Sequence, residues 1–440
     1  MREEVDIHIR NVLTLNPANG AVLKEVDITV KDGKIKEVSR GIKVDAAEVI
    51  DGSGKIAIPG FVDAHTHVFQ IMLRGALSMK ELQVHPIWLR VLIPFEAELT
   101  REEAEISAEL ACLNMIRKGI VSFAEAGGPY PDIEAEAARS VGLRARVTHS
   151  TMDAGPENYV RTASMNRELV RKYASGLVRG YYSIRQLMTS TDFQLDETFR
   201  FAREDDALVT MHINEEVSEI QHALARWGMR PIEFLHSKGY LCSRLLAAHC
   251  AFLSRSEIEI LSKCGVNVVH CPTIAMLYMN FPRIPELLSR GVNVALGSDG
   301  GSYRPLDIFT EINIMVSGLT GYYGAPYHDH SVLSPVTALK MATFNGAKAL
   351  GDDAGEIREG ALADITIVDA RKPHLTPLHD SWLLPLFATG SDVTDLIVDG
   401  KLIMRKGEVM TLDEDSVVSR AREIAPQIRE KIVKLLRTSH

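Results

Sequence analysis

His65 and His67 stand one residue apart at the end of the run Pro59-Gly60-Phe61-Val62-Asp63-Ala64-His65-Thr66-His67. Side chains two apart on a β-strand share a face, so both imidazoles can turn toward one cation. The same spacing also fits two polar residues at a strand end, and the pair by itself does not separate these readings. Three more residues do. His212 closes the apolar run 208–213, His249 closes 245–249, and Asp299 follows 292–297 within Leu296-Gly297-Ser298-Asp299-Gly300. Parallel α/β barrels gather their active-site groups at the C-terminal ends of strands, and imidazole with carboxylate is a donor set for a divalent metal.

The elements that must carry these residues are legible in the same stretch. Strand-like runs occur at 56–62, 120–125, 145–149, 178–184, 208–213, 245–249, 266–270 and 292–297. Amphipathic helical patterns at 103–118, 196–204, 216–227, 255–263 and 285–290 separate many of them. Repeated β/α alternation implies a parallel sheet, and eight repeats imply a (β/α)8 TIM-like barrel. Residues 5–51 instead alternate short β-rich runs with turns such as Asp32-Gly33 and Asp51-Gly52, which reads as antiparallel strands and hairpins. Similar texture returns at 364–368 and 396–403. Each piece has too few strands to bury a core, so the two chain ends are expected to form one small composite β-sandwich. The expected division is 1–57 and 359–412 for the sandwich, 58–358 for the barrel and 413–440 for a C-terminal helix, charged and amphipathic over 416–438.

Bulk properties narrow the function. A formal net charge of −9 and no basic tract argue against nucleic acid and anionic membranes as partners. The opening MREEVDIHIRNVLTLN lacks the pattern of a signal peptide, and no apolar run approaches the ~20 residues of a membrane helix. Five cysteines, an odd number without a CxxC pair, suit reduced thiols and a cytoplasmic location.

The motifs at 59–67, His212-Ile213-Asn214-Glu215, His249-Cys250, His270-Cys271-Pro272 and 297–300 resemble the amidohydrolase superfamily. Within it they resemble the branch of S-adenosylhomocysteine and methylthioadenosine deaminases, guanine-type deaminases and triazine hydrolases. Gly360-Ala361-Leu362-Ala363-Asp364-Ile365 is similar to the family's return into its sandwich domain. The resemblance implies that His65, His67, His212 and Asp299 hold one divalent ion, with Zn²⁺ favoured and Fe²⁺ or Mn²⁺ as alternatives. Two-metal relatives use a lysine on the fourth strand, and 177–185 holds none, which favours one ion.

By the same resemblance, water acidified by the ion attacks a ring carbon that bears an amino group. Asp299 accepts the water's proton, Glu215 protonates the adjacent ring nitrogen, and His249 orients the water and the tetrahedral intermediate. The bland alternative for Glu215 is a carboxylate that merely begins the next helix, the role assigned to Glu216. The implied substrate is a small amino-substituted nitrogen heterocycle of purine, pterin or pyrimidine type, with a homo-oligomer compatible. Gln70, Trp88, Glu96, Arg185 and Tyr278 are the pocket candidates. Trp88 packs on a ring or fills core; Glu96 binds ribose hydroxyls or begins a helix. Arg185 meets a substrate carboxylate or carbonyl, or forms an internal salt bridge.

Three segments depart from nucleoside-type members: Ser183-Ile184-Arg185-Gln186, Pro272-Thr273-Ile274-Ala275-Met276-Leu277-Tyr278 and Gly301-Ser302-Tyr303-Arg304. His149 and His270 are left out of the ligand set, and Cys250 and Cys271 are read as small buried residues. The competing readings are a triazine-type chlorohydrolase or alkylamine hydrolase, and a noncatalytic scaffold with the same fold.

Overall fold

A computed structural model describes residues 4–82, 86–154 and 159–438. The first strand, β1 (Glu4–Asn16), buries Val5, Ile7 and Ile9 in alternation. Its register then shifts around Asn11, whose φ is +53°, and burial resumes at Val12, as expected where a bulge inserts an extra residue. Strand β2 (Ala21–Lys31) runs antiparallel to β1 and joins β3 (Lys34–Ser39) through Asp32-Gly33. Both turn residues have positive φ, 50° and 77°, which suits the twist of a two-residue hairpin. Strands β4 (Asp45–Asp51) and β5 (Lys55–Pro59) depart from the antiparallel expectation, since each pairs with β1 in parallel. They take different halves of β1, so the sheet forks along that strand.

Gly60 then divides what the sequence suggested was one strand at 56–62. A Cβ there would lie 2.3 Å from Val121 Cγ1, so only glycine fits where the chain leaves one sheet for the next. The next strand is β6 (Phe61–His67), with β7 (Ile120–Glu125), β8 (Arg144–Val147) and β9 (Val178–Gly180) parallel beside it. A second parallel sheet runs through β10 (Tyr182–Ile184), β11 (Val209–Ile213), β12 (Leu245–His249), β13 (Asn267–His270) and β14 (Asn293–Leu296). Strand β15 (Asp299–Gly300) pairs with β6, which places it in the first sheet. Thus the run at 178–184 is interrupted at Tyr181, and the last run at 292–297 stops at Leu296 before the chain pairs again at Asp299. Tyr181 packs with Val62, Ala64, Ala124, Leu246, Val269 and Ala295, where small alanines leave room for its ring.

After the parallel strands the chain returns to the sheet formed by β1 to β5. Strand β16 (Ile365–Asp369) pairs with β5, and β17 (Val393–Val398), β18 (Lys401–Arg405) and β19 (Glu408–Val409) extend it to nine strands. Both chain ends therefore meet in one sheet, over a core that includes Ile9, Ile28, Ile365 and Ile397. The turns Asp32-Gly33 and Asp399-Gly400 touch, since a Cβ on Gly400 would lie 2.7 Å from Gly33 Cα.

Several helices between the parallel strands are capped by side chains. Thr100 with Glu103 caps Arg101–Arg117, and Ser254 with Glu257 caps Arg255–Cys264. Thr191 accepts from Gln194 N–H, so Asp192–Glu204 begins before the expected 196. The last helix, Glu414–Thr438, lies along Arg101–Arg117 and pairs Lys431 with Glu103 at 2.6 Å. Among the described residues, no helix is long and apolar enough to cross a membrane.

Candidate active site

Strand alternation places His65 and His67 together, while Thr66 between them donates from Oγ1 to Asp299 O at 3.0 Å. The pairing of β15 with β6 thus brings Asp299 beside the two histidines. His67 Nε2 lies 3.1 Å from His212 Nε2 and 3.6 Å from Asp299 Oδ1. Ring centres of His65 and His212 are 4.7 Å apart, and those of His65 and His249 are 5.2 Å apart. His249 Nε2 is 4.0 Å from the other Asp299 oxygen, Oδ2. Asn214, His249, Cys250 and Asp299 all hold left-handed backbone, with φ of 52°, 70°, 48° and 59°. Such conformations cost energy for residues with a Cβ and concentrate where packing holds a functional group in place.

The donor chemistry fits a cation. Donor atoms of His65, His67 and Asp299 lie within 4.8 Å of one another, as do those of His65, His212 and His249. Neither ring nitrogen of His65 has a hydrogen-bond partner, nor does His67 Nδ1 or His249 Nε2, although all are buried. An unpaired buried polar atom costs about 1–3 kcal/mol, and a cation would satisfy several at once. Burial foremost, with neighbouring positive groups, holds the pKa of His65, His67 and His212 well below the ordinary histidine value, which keeps the neutral form that ligates.

Glu125, at the end of β7, was not anticipated. Its Oε1 lies 3.8 Å from His67 Nδ1, and its two oxygens accept from Val68 N at 2.8 Å and Gly127 N at 3.1 Å. Burial pushes its carboxyl up to about 8. The signal was present, since Glu125 also closes a strand. Cys271 was read as a buried filler, yet its Sγ lies within 4.8 Å of donor atoms of His249 and Asp299.

Glu215 leaves β11 and reaches the same cluster. Its Oε1 is 3.7 Å from His249 Nε2, and its Oε2 accepts from Gln186 Nε2 at 2.7 Å. Burial pushes its carboxyl up to about 7. Glu216 instead occupies the start of Val217–Trp227 and accepts from Ser218 Oγ at 3.0 Å.

Above this cluster lies a cavity of about 430 Å³, its mouth included, lined by Gln70, Trp88, Leu92, Arg185, Gln186, Glu215, Ile274, Tyr278, Ser302 and Tyr303. Glu96 does not line it. Its Oε1 accepts from Gln70 Nε2 at 2.9 Å, and its Oε2 accepts from Arg185 Nη1 at 3.1 Å and Tyr159 OH at 3.2 Å. Arg185 therefore forms an internal ion pair and lines the cavity at the same time. His149 and His270 stand outside the ligand geometry; burial lowers their pKa to about 4 and about 3.

Comparison with known proteins agrees over nearly the full length. The amidohydrolase family pattern matches residues 56–403. The 5′-deoxyadenosine deaminase of Methanosarcina mazei is 36% identical over 444 aligned residues, covering 97% of this chain and 99% of that protein. The crystal structure of an adenosine deaminase from Xanthomonas campestris with bound zinc is 27% identical and superposes with a TM-score of 0.90, covering 98% of this chain and all of that one (100%). An atrazine chlorohydrolase from Arthrobacter aurescens in complex with zinc, 22% identical, shares the fold with a TM-score of 0.87, covering 96% of this chain and 100% of that one.

Proposed function

The chain belongs to the amidohydrolase family, and from that premise we propose that it is a divalent-metal-dependent hydrolytic deaminase of an amino-substituted nitrogen heterocycle, with an adenosine-type ring the first choice. One observation carries this reading: Glu215 and Asp299 both lie near His249 Nε2, at 3.7 and 4.0 Å, beside the His65, His67 and His212 rings. A carboxylate in that position can hand a proton to a ring nitrogen while the adjacent carbon is attacked.

His65, His67, His212 and Asp299 would hold one ion, for which Zn²⁺ is our choice given imidazole and carboxylate donors. When bound, the ion supplies a water acidified toward neutrality. Asp299, with one oxygen toward His67 and the other toward His249, would accept a proton there. Glu215 protonates the ring nitrogen next to the attacked carbon. His249, its Nε2 without a hydrogen-bond partner, holds the incoming oxygen. Asp299 would pass the water's proton on to the amino group, which leaves as ammonia, and the hydroxyl proton of the product would return to Glu215.

Trp88 and Tyr278 flank the ring in this reading, and Gln70 and Arg185 meet its polar edge. Glu96 fixes Gln70 and Arg185 from behind in this reading, with its oxygens already serving three donors. We read the parallel strands as one closed (β/α)8 barrel. The support is that β9 and β10 are separated only by Tyr181, β14 and β15 only by Gly297-Ser298, and β15 returns to β6. We divide the chain into 1–57, 58–358, 359–412 and 413–440, with β5 carrying the first boundary on to Gly60, and unpaired cysteines are consistent with a cytoplasmic location.

The test is ammonia release from 5′-deoxyadenosine, adenosine, guanine, pterins and aminotriazines, using protein of known metal content. Ammonia from one ring class supports the reading. Chloride or alkylamine release, or no turnover at full metal occupancy, rejects it.

A further inference from the structure

Gln186 follows β10 closely, is 1% exposed and lines the cavity. Its backbone is pinned, since its carbonyl oxygen accepts from Thr189 Oγ1 and Ser190 Oγ, each at 3.1 Å. The two ends of its side chain differ. Nε2 donates to Glu215 Oε2 at 2.7 Å, whereas Oε1 is buried without a partner. A carboxylate oxygen accepts from the amide nitrogen in this orientation, and Oε2 still does so when the proton sits on Oε1, the oxygen toward His249. The amide oxygen is then left on the same planar group, one amide's width from the Glu215 contact. Arg185 and Trp88 Nε1, also at the cavity, only donate, while Gln186 Oε1 only accepts.

We propose that Gln186 selects the substrate: its Nε2 holds Glu215, and its Oε1 accepts a hydrogen bond from an N–H on the ring position next to the nitrogen that Glu215 protonates. The inference rests on the deaminase reading and narrows its substrate class. Favoured rings carry a second amino group or a ring N–H beside the reacting N=C–NH₂ unit. A ring with C–H at that position leaves Oε1 desolvated and unpaired. Sites built to pair a polar group discriminate against analogues that lack it for this reason.

Gln186 is hydrogen-bonded to Glu215, so a ring whose nitrogen meets Glu215 lies beside the Gln186 amide and can present its next substituent to it. Sequence alone did not suggest this, since Gln186 and Glu215 are far apart in the chain and meet only across β10 and β11.

Adenosine and 2,6-diaminopurine riboside form the test pair, because they differ only in a C–H or an amino group beside the nitrogen to be protonated. Native protein is expected to favour the diamino compound roughly ten-fold in kcat/KM, the scale of one neutral hydrogen bond. Gln186→Met keeps the volume without either hydrogen bond. It should bring the ratio to about one and lower kcat on both compounds, at unchanged metal content and melting temperature. A purely structural role would not move the ratio. Equilibrium binding of purine riboside and 2-aminopurine riboside, which lack the leaving group, gives the same ratio without turnover. Equal treatment of each pair by native protein, or an unchanged ratio in Gln186→Met, overturns the inference while ammonia release leaves the deaminase reading standing. Binding of the aminated ring without turnover supports the inference and counts against deamination, and failure to bind either ring overturns both.

Discussion

Replacing Glu215 with Gln isolates proton transfer from every other contact the residue makes. The amide is isosteric, and its Oε1 can still accept from Gln186 Nε2, now 2.7 Å from a carboxylate oxygen. Its NH₂ end faces His249 Nε2, 3.7 Å from the present Oε1 and without a hydrogen-bond partner. The bond from Glu215 N–H to Glu219 Oε2, at 3.1 Å, involves the backbone and survives. No assigned metal ligand loses a partner, so metal content should be unchanged. Stability should be unchanged or higher, because burial that pushes this carboxyl up to about 7 no longer opposes a charge. What disappears is the proton, and general acid–base groups contribute roughly 10²–10⁴-fold. That corresponds to about 3–5 kcal/mol of barrier. Ammonia release under saturating substrate should therefore fall by that factor, with KM changed far less. Turnover within about five-fold of native at full metal content would refute the assignment, and loss of metal together with turnover would mean that Glu215 helps hold the ion.

His65→Ala and His67→Ala should each lower metal content after dialysis, read by elemental analysis; full occupancy in both would remove them from the ligand set. Glu125→Ala should weaken metal retention by about 10–100-fold in chelator competition, because His67 loses the carboxylate behind its Nδ1, 3.8 Å away. Arg185→Met should cost roughly 3–5 kcal/mol in unfolding free energy, since Glu96 is left buried with its charge unpaired; Glu96→Gln in the same background should recover part of it. Burial raises the Glu311 carboxyl to about 8 from 4.5. Between those values the unfolded chain sheds the proton that the fold retains, so stability falls as pH rises through this window, by a few kcal/mol at most. Glu311→Gln, which can still pair with Thr273 N and Oγ1, should flatten that slope in denaturant titrations at several pH values, and an unchanged slope would reject the cause.

The amino-acid sequence by itself determined which positions stand at strand ends. Apolar runs that stop at His67, His212 and His249 and just before Asp299 are local properties, so the placing of these residues at strand ends could be anticipated without knowing how strands pair, while their role as ligands came from the resemblance to a family. The hairpin at Asp32-Gly33 was legible as another local property, because a turn with two positive φ values constrains its own residues. Partners were not. Only the tertiary structure decided that β4 and β5 run parallel to β1 and that 56–62 breaks at Gly60 against Val121. Only it decided that Glu96 turns to Gln70, Tyr159 and Arg185 and not into the cavity, or that Gln186 and Glu125 stand behind Glu215 and His67. Periodicity reports the face of an element on which a side chain lies. Which distant side chain meets it is set by strand order and packing, and those are properties of the whole chain.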